Sequence, residues 1–159
     1  MPKPLWAPWR LEYVQHADEA GRRCIFCEPE PELLVHEGDL ALLVLNKFPY
    51  SSGHLLIAPK RHLGEFSALS PEEALEIHRL GARGIEALGA AYAPHGFNVG
   101  WNLGRAAGAG IEEHVHMHVV PRWNGDTSFM PVLGDVKVLP EALERTAERL
   151  RLQFAHPDG

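Results

Sequence analysis

Two segments of the chain alternate apolar and polar residues with period two, and a third repeats with the spacing of a helix. His114-Val115-His116-Met117-His118-Val119-Val120 read as a strand places three imidazoles on one face and Val115, Met117 and Val119 on the other. Phe97-Asn98-Val99-Gly100-Trp101-Asn102 alternates in the same way, with Phe97, Val99 and Trp101 apolar and Asn98, Gly100 and Asn102 polar or small. A glycine-rich loop from Leu103 to Gly110 joins these strands, predicted over Phe97–Asn102 and about Glu113–Val120. If they pair through it, Asn98 and Asn102 come to lie beside the histidines. Upstream, residues 33–36 and 40–45 read as strands joined by a turn at Glu37-Gly38-Asp39, and His54 to Ala58 as another closed by Pro59.

Ser70-Pro71-Glu72-Glu73 is a helix start: Ser70 as N-cap, Pro71 at the first helical position, Glu73 completing a capping box. The helix is predicted to run to about Tyr92. Ile77, Leu80, Ile85, Leu88 and Tyr92 form its apolar face, and Glu72, Glu76, Arg79 and Glu86 face water. Pro94-His95-Gly96 ends it. A last helix is expected over roughly Pro140 to Phe154. Glu28 to Glu32 alternates Glu and Pro and reads as an extended, solvated connector. Early strands, one long helix and two further strands predict an α+β domain with a mostly antiparallel sheet and helical cover mostly on one side.

A chain of 159 residues fits one domain able to bury roughly two-thirds of its unfolded surface. We divide it into an N-terminal extension (about 1–23), a core (about 24–125) and a C-terminal segment with its helix (about 126–155). No apolar run approaches the ~18 residues of a membrane span, and the opening segment lacks the apolar stretch of a secretory signal, so a cytoplasmic location is expected. The formal charge of −6 argues against a broad basic face for duplex nucleic acid or anionic lipid, and leaves room for a small basic pocket.

Three of the ten histidines fall within five residues. Imidazole serves as metal ligand, proton shuttle or nucleophile. Histidines two apart on a strand are separated by roughly 6–7 Å, so gathering all three on one ion would bend the strand, and divided roles are easier. The loop before them, with Gly104, Arg105, Gly108 and Gly110, lets backbone amides approach an anion. Cys24 and Cys27 are the only cysteines. Their two-residue spacer lets both thiolates reach one tetrahedral ion and supplies half of a structural site.

The alternation followed by Pro121-Arg122 resembles the signature of the histidine triad superfamily. Leu45-Asn46-Lys47-Phe48-Pro49-Tyr50, Gly53-His54-Leu55, Pro59-Lys60-Arg61-His62, His95 to Gly104, Val119 to Trp123 and the opening Leu5-Trp6-Ala7-Pro8-Trp9-Arg10 are similar to its diadenosine tetraphosphate (Ap4A) phosphorylase branch. The resemblance implies the triad fold and nucleotidyl transfer from a diadenosine polyphosphate, through a covalent adenylyl-histidine, to inorganic phosphate or water. It implies His116 as the nucleophile, neutral and with Nδ1–H on a backbone carbonyl. It further implies His118 and Asn102 at the α-phosphate, Asn46 at the ribose and Val44 at the base. Asn98, the loop glycines Gly108 and Gly110, and the cations Arg105, Lys47 and Lys137 are candidate substrate contacts.

By the same resemblance, His62 and His114 complete a structural zinc site with Cys24 and Cys27, with His54 as the alternative ligand. No organic cofactor is implied, and a homodimer or higher homo-oligomer is. One departure stands out. Gly108-Ala109-Gly110-Ile111-Glu112-Glu113 lacks the hydroxyl or amide that many members carry before the signature. Leaving-group protonation then has no evident donor, which favours a phosphate acceptor with a nucleotide leaving group over phosphoramidate hydrolysis. Competing readings are a dinucleoside polyphosphate hydrolase, a purine nucleoside phosphoramidase, a nucleotidylyltransferase using a sugar phosphate, and a nucleotide-binding module without turnover.

Overall fold

The computed structural model describes residues 23–126 and 141–155; the opening segment and Lys137 lie outside them. Five strands, β1 (Leu34–Glu37), β2 (Ala41–Leu45), β3 (Leu55–Pro59), β4 (Gly96–Trp101) and β5 (Met117–Arg122), form one sheet in the order β1-β2-β3-β5-β4. All four pairings are antiparallel. Helix α1 covers Pro71–Tyr92 and helix α2 covers Leu143–Ala155, so the expected α+β architecture holds. β5 is inserted between β3 and β4, with His118 opposite Leu56 on one side and Gly100 on the other.

Every residue of β2 and β3 is buried, because both sheet faces are covered. On one face, α1 and α2 pack over Leu43, Leu45, Leu55, Ile57, Met117 and Val119. On the other, Phe26 closes over Leu42, Val44, Leu56 and Ala58. Burial on both faces removes the polar half of the strand alternation, which is why 40–45 reads as a continuous apolar run.

The capping box forms as predicted: Glu73 N–H donates to Ser70 Oγ (3.1 Å) and Ser70 N–H to Glu73 Oε2 (2.8 Å). The buried face of α1 is broader than the expected one, with Ile85 and Tyr92 packed against its margin. It contains Ile77, Leu80, Gly81, Gly84, Ala87 and Leu88, while Ile85 and Tyr92 are only half-buried. A Cβ at Gly84 would lie 3.0 Å from Leu55 Cδ1, and one at Gly81 would run into Met117 Cε. The two glycines therefore let the helix settle close to the sheet. Glu76, expected in water, accepts from the amides of Leu40 and Ala41 (2.9 and 3.0 Å) and holds the start of β2.

Two further expectations are corrected. Glu28 to Glu32 is no free connector: Glu30 pairs with Lys47 (2.8 Å), and Arg151 donates to the carbonyls of Pro31 and Glu32, both at 2.8 Å. The histidine strand starts at Met117 rather than near Glu113. Val115 N–H donates to Leu63 O (2.8 Å) and the His114 Nε2–H to Pro59 O (2.7 Å), which draws residues 114–116 off the ladder.

Arg61, at the exit of β3, donates to both carboxylate oxygens of Glu73 (3.0 and 2.8 Å) and to Ala68 O (2.8 Å). These bonds fix the segment that carries His62. The Arg61 guanidinium first, and the Ser70 amide second, hold the Glu73 carboxyl down at about 2, against an ordinary 4.5. A depressed folded value stabilises the native state above the ordinary value, and this contribution disappears as pH falls toward about 2. Urea denaturation of the wild type and Glu73→Gln at stepped pH checks this: the stability gap between them is expected to be widest near neutrality and to narrow through that window.

Candidate active site and metal centre

His116 precedes β5 and is only 6% exposed. Its Nδ1–H donates to the carbonyl of His114 at 2.8 Å. Burial pushes its pKa below the ordinary value, and the bond to the carbonyl partly opposes that shift. The result is a neutral imidazole whose Nε2 carries the lone pair. The Phe26 ring lies 4.9 Å from it on one side, and the His118 ring is also at 4.9 Å.

His118 is held in the opposite tautomer by residues outside the triad. Tyr50 N–H donates to His54 Nδ1 (3.0 Å), so neutral His54 carries its proton on Nε2, which lies 2.9 Å from His118 Nδ1. His118 Nδ1 then accepts, and its own proton resides on Nε2. Asn102 Nδ2 stands 3.5 Å from that nitrogen, so with Nε2 protonated two N–H donors lie side by side. Asn46 Nδ2 lies 3.2 Å from His54 Nδ1, and Asn46 Oδ1 accepts from Phe48 N–H (2.9 Å). These bonds shape the loop that stacks Tyr50 over His118, 5.9 Å between centroids at 12°. A groove of about 470 Å³ opens beside His118, with Tyr50, Asn98, Asn102 and Arg122 in its wall.

The third histidine faces elsewhere. His114 Nδ1 lies 3.1 Å from Cys24 Sγ and 3.7 Å from Cys27 Sγ, and His62 Nδ1 lies 3.3 Å from Cys27 Sγ. All four ligand atoms fall within 4.8 Å of one another. A tetrahedral ion with bonds of roughly 2.3 Å to sulfur and 2.0 Å to nitrogen has S–N edges of about 3.5 Å, so the residues present fit one. Pro59 O holds the Nε2–H of His114 and presents Nδ1 as the ligand atom, an outer carbonyl of the kind that orients metal-bound imidazoles. His54, the alternative ligand, is engaged with His118 and lies outside this cluster.

The remaining expected residues scatter. Val44 is buried beneath Phe26. Asn98 lies opposite Val120, with Oδ1 accepting from Arg122 Nη1 (2.8 Å), further along the sheet than the histidines. Gly108 has φ 90° and its N–H donates to Arg105 O (2.9 Å). A phosphate contact there would displace that bond. Gly110 is half-buried at the end of the same loop. Arg105 is paired with Glu112 (2.9 Å) and Lys47 with Glu30, both at the surface. Sequence reasoning missed His54 as a partner of His118, Tyr50 as its cover and Phe26 as the neighbour of His116. Nothing local identifies them, because each meets the triad across a strand pairing or from the opposite end of the chain.

Comparison with known proteins agrees with this geometry. The HIT domain model matches residues 28–125. The chain is 37% identical over 163 residues to a Mycobacterium tuberculosis protein named AP-4-A phosphorylase, covering 95% of this chain and 84% of that one. It is 30% identical over 131 residues to adenosine 5'-monophosphoramidase hnt1 of Schizosaccharomyces pombe, covering 80% and 95%. The crystal structure of a zinc-bound histidine triad family protein from Mycobacterium smegmatis superposes with a TM-score of 0.68 at 30% identity, covering 84% of this chain and 94% of that one. With the domain match, a relative along nearly its whole length and the same fold, this chain belongs to the histidine triad (HIT) family.

Proposed function

We propose that this protein transfers an adenylyl group from a diadenosine polyphosphate, Ap4A foremost, to inorganic phosphate. The observation that carries the reading is a pair of adjacent imidazoles whose partners set opposite tautomers: the His114 carbonyl leaves His116 its lone pair on Nε2, and His54, accepting from Tyr50 N–H, leaves His118 its proton there. His116 Nε2 attacks the α-phosphorus and the bond to the bridging oxygen breaks, releasing ATP. A phosphate oxygen then attacks the adenylyl-histidine, regenerating His116 and giving ADP. The His118 Nε2–H, with Asn102, stabilises the charged phosphate oxygens and the departing bridge. That donor supplies what the side chains of the loop lack.

Asn46 serves the ribose in this reading, Asn98, Gly108 and Gly110 flank the phosphates, and Val44, 3% exposed beneath Phe26, backs the base site only from within the core. Arg105 and Lys47 reach distal phosphates only by exchanging Glu112 and Glu30 for substrate. The substrate assignment is supported by the Mycobacterium tuberculosis relative named AP-4-A phosphorylase, and the yeast relative named a monophosphoramidase favours phosphoramidate cleavage as the second reading. Incubating the protein with Ap4A separates them. ADP plus ATP, formed only when phosphate is added, is the expected outcome; AMP plus ATP without it would replace phosphorolysis by hydrolysis, and turnover of an adenosine phosphoramidate alone would favour the second reading. His116→Ala, folded, should lose roughly 10³-fold or more in rate and form no nucleotidyl adduct by mass spectrometry.

Cys24, Cys27, His62 and His114 would hold zinc, which, when bound, supplies a structural crosslink between the N-terminal segment and the sheet. Elemental analysis of the purified protein should find zinc equimolar with the chain, and Cys24→Ala should remove it and lower the thermal midpoint. β4 ends the sheet with an edge of Gly96–Trp101 that has no charged residue, a strand that invites pairing and supports a homodimer. Light scattering is expected to give twice the chain mass, and Val99→Lys to lower it.

A further inference from the structure

Phe26 sits within the Cys24-Ile25-Phe26-Cys27 segment. The amides of Cys27 and Glu28 both donate to Cys24 O (3.1 and 2.9 Å), and this tight turn brings the two sulfur atoms to the side of His62 and His114. The same turn drives Phe26 inward, to 1% exposure. There its ring lies 5.0 Å from the His114 ring and 4.9 Å from the His116 ring, tilted by 58° and 38°. Ile25, between them in sequence, is left exposed.

Two physical links therefore run from the metal cluster to His116. One is His114, whose Nδ1 faces Cys24 Sγ while its backbone carbonyl accepts the His116 Nδ1–H. The other is Phe26, fixed at both ends by a cluster cysteine. We propose that the four-ligand cluster is a clamp on the nucleophile, with Phe26 as the positioning residue that keeps His116 in one rotamer and one tautomer. The inference rests on the reading of His116 as the nucleophile.

The argument is steric. Rotating the His116 imidazole breaks its 2.8 Å bond to the His114 carbonyl and carries Nε2 away from its place. The Phe26 ring, 4.9 Å away and tilted by 38°, packs against the imidazole and opposes that rotation. A truncated side chain removes that packing, and freeing Cys24 and Cys27 from a common ion lets the turn, and Phe26 with it, move away. A displacement of about 1 Å at a reacting atom can cost on the order of 10²-fold in rate, so the clamp acts on catalysis without touching substrate.

Nitrogen-15 NMR of the His116 imidazole in the metal-loaded protein reads the clamp directly. The wild type should show a single Nδ1–H tautomer. Phe26→Ala, with its zinc content retained, should show averaging between tautomers and form the nucleotidyl adduct about tenfold or more slowly, and Phe26→Leu should restore most of both. Chelating zinc from the wild type should reproduce the averaging. An unchanged tautomer and an adduct rate within about twofold in zinc-loaded Phe26→Ala would overturn the positioning role. A single tautomer that survives chelation would overturn the link to the metal. Should Phe26→Ala fail to fold, zinc-loaded Phe26→Val replaces it, and an unchanged tautomer with an adduct rate within about twofold overturns the positioning role. A wild type that forms no adduct defeats the nucleophile reading instead, and the tautomer measurement distinguishes that failure from this one.

Discussion

The hydrogen bond from His116 Nδ1 to the His114 carbonyl is the interaction on which the rest of the site depends. It fixes which nitrogen of His116 bears the lone pair. It also requires the chain at residues 114–116 to leave the sheet, since a carbonyl accepting from a side chain two residues on is turned away from the strand ladder. The departure is held by Val115 on Leu63 and by His114 on Pro59, and it turns the first histidine toward the two thiols. One local bend thus separates a run of three similar side chains into a metal-cluster residue, a buried neutral imidazole and a strand residue at the groove.

The sheet gives this bend its surroundings. With β5 between β3 and β4, His118 meets His54 from one side and Asn102 from the other, and the His54 contact decides its tautomer. The helix-covered face provides rigidity, with Gly81 and Gly84 allowing α1 to approach and the Arg61–Glu73 pair tying the β3 exit to the helix start. The opposite face carries the candidate site, closed by Phe26 and the cysteine turn. Among the described residues little of this face is covered by regular secondary structure, so the Cys24–Cys27 segment matters to the site far more than its length suggests.

Much of the fold was legible in the sequence where a signal is local. The Ser70–Glu73 capping box gave the start of α1 to the residue, because capping is decided by backbone amides within one turn. The period-two segments gave both β4 and β5, and the cysteine spacer gave half of a ligand set. Glu76 and the Glu-Pro connector were misread as solvated because their partners, the Leu40 amide and the Arg151 side chain, lie far away in sequence. The pairing of Lys47 with Glu30 was hidden for the same reason, whereas Arg105 and Glu112 lie only seven residues apart and meet because the loop between them folds back.

For the candidate site, the sequence by itself determined which chemical groups are available: three imidazoles at alternate positions, an asparagine on the partner strand, and two thiols at ligand spacing. These are properties of residue type and short-range periodicity, and a strand pattern suffices to expose them. Only the tertiary structure decided how each imidazole is held. Protonation and tautomer follow from burial and from hydrogen-bond partners, and those partners (the His114 and Pro59 carbonyls, His54, the Phe26 ring) are brought to the histidines by strand order and by a bend in the backbone. No periodicity encodes either.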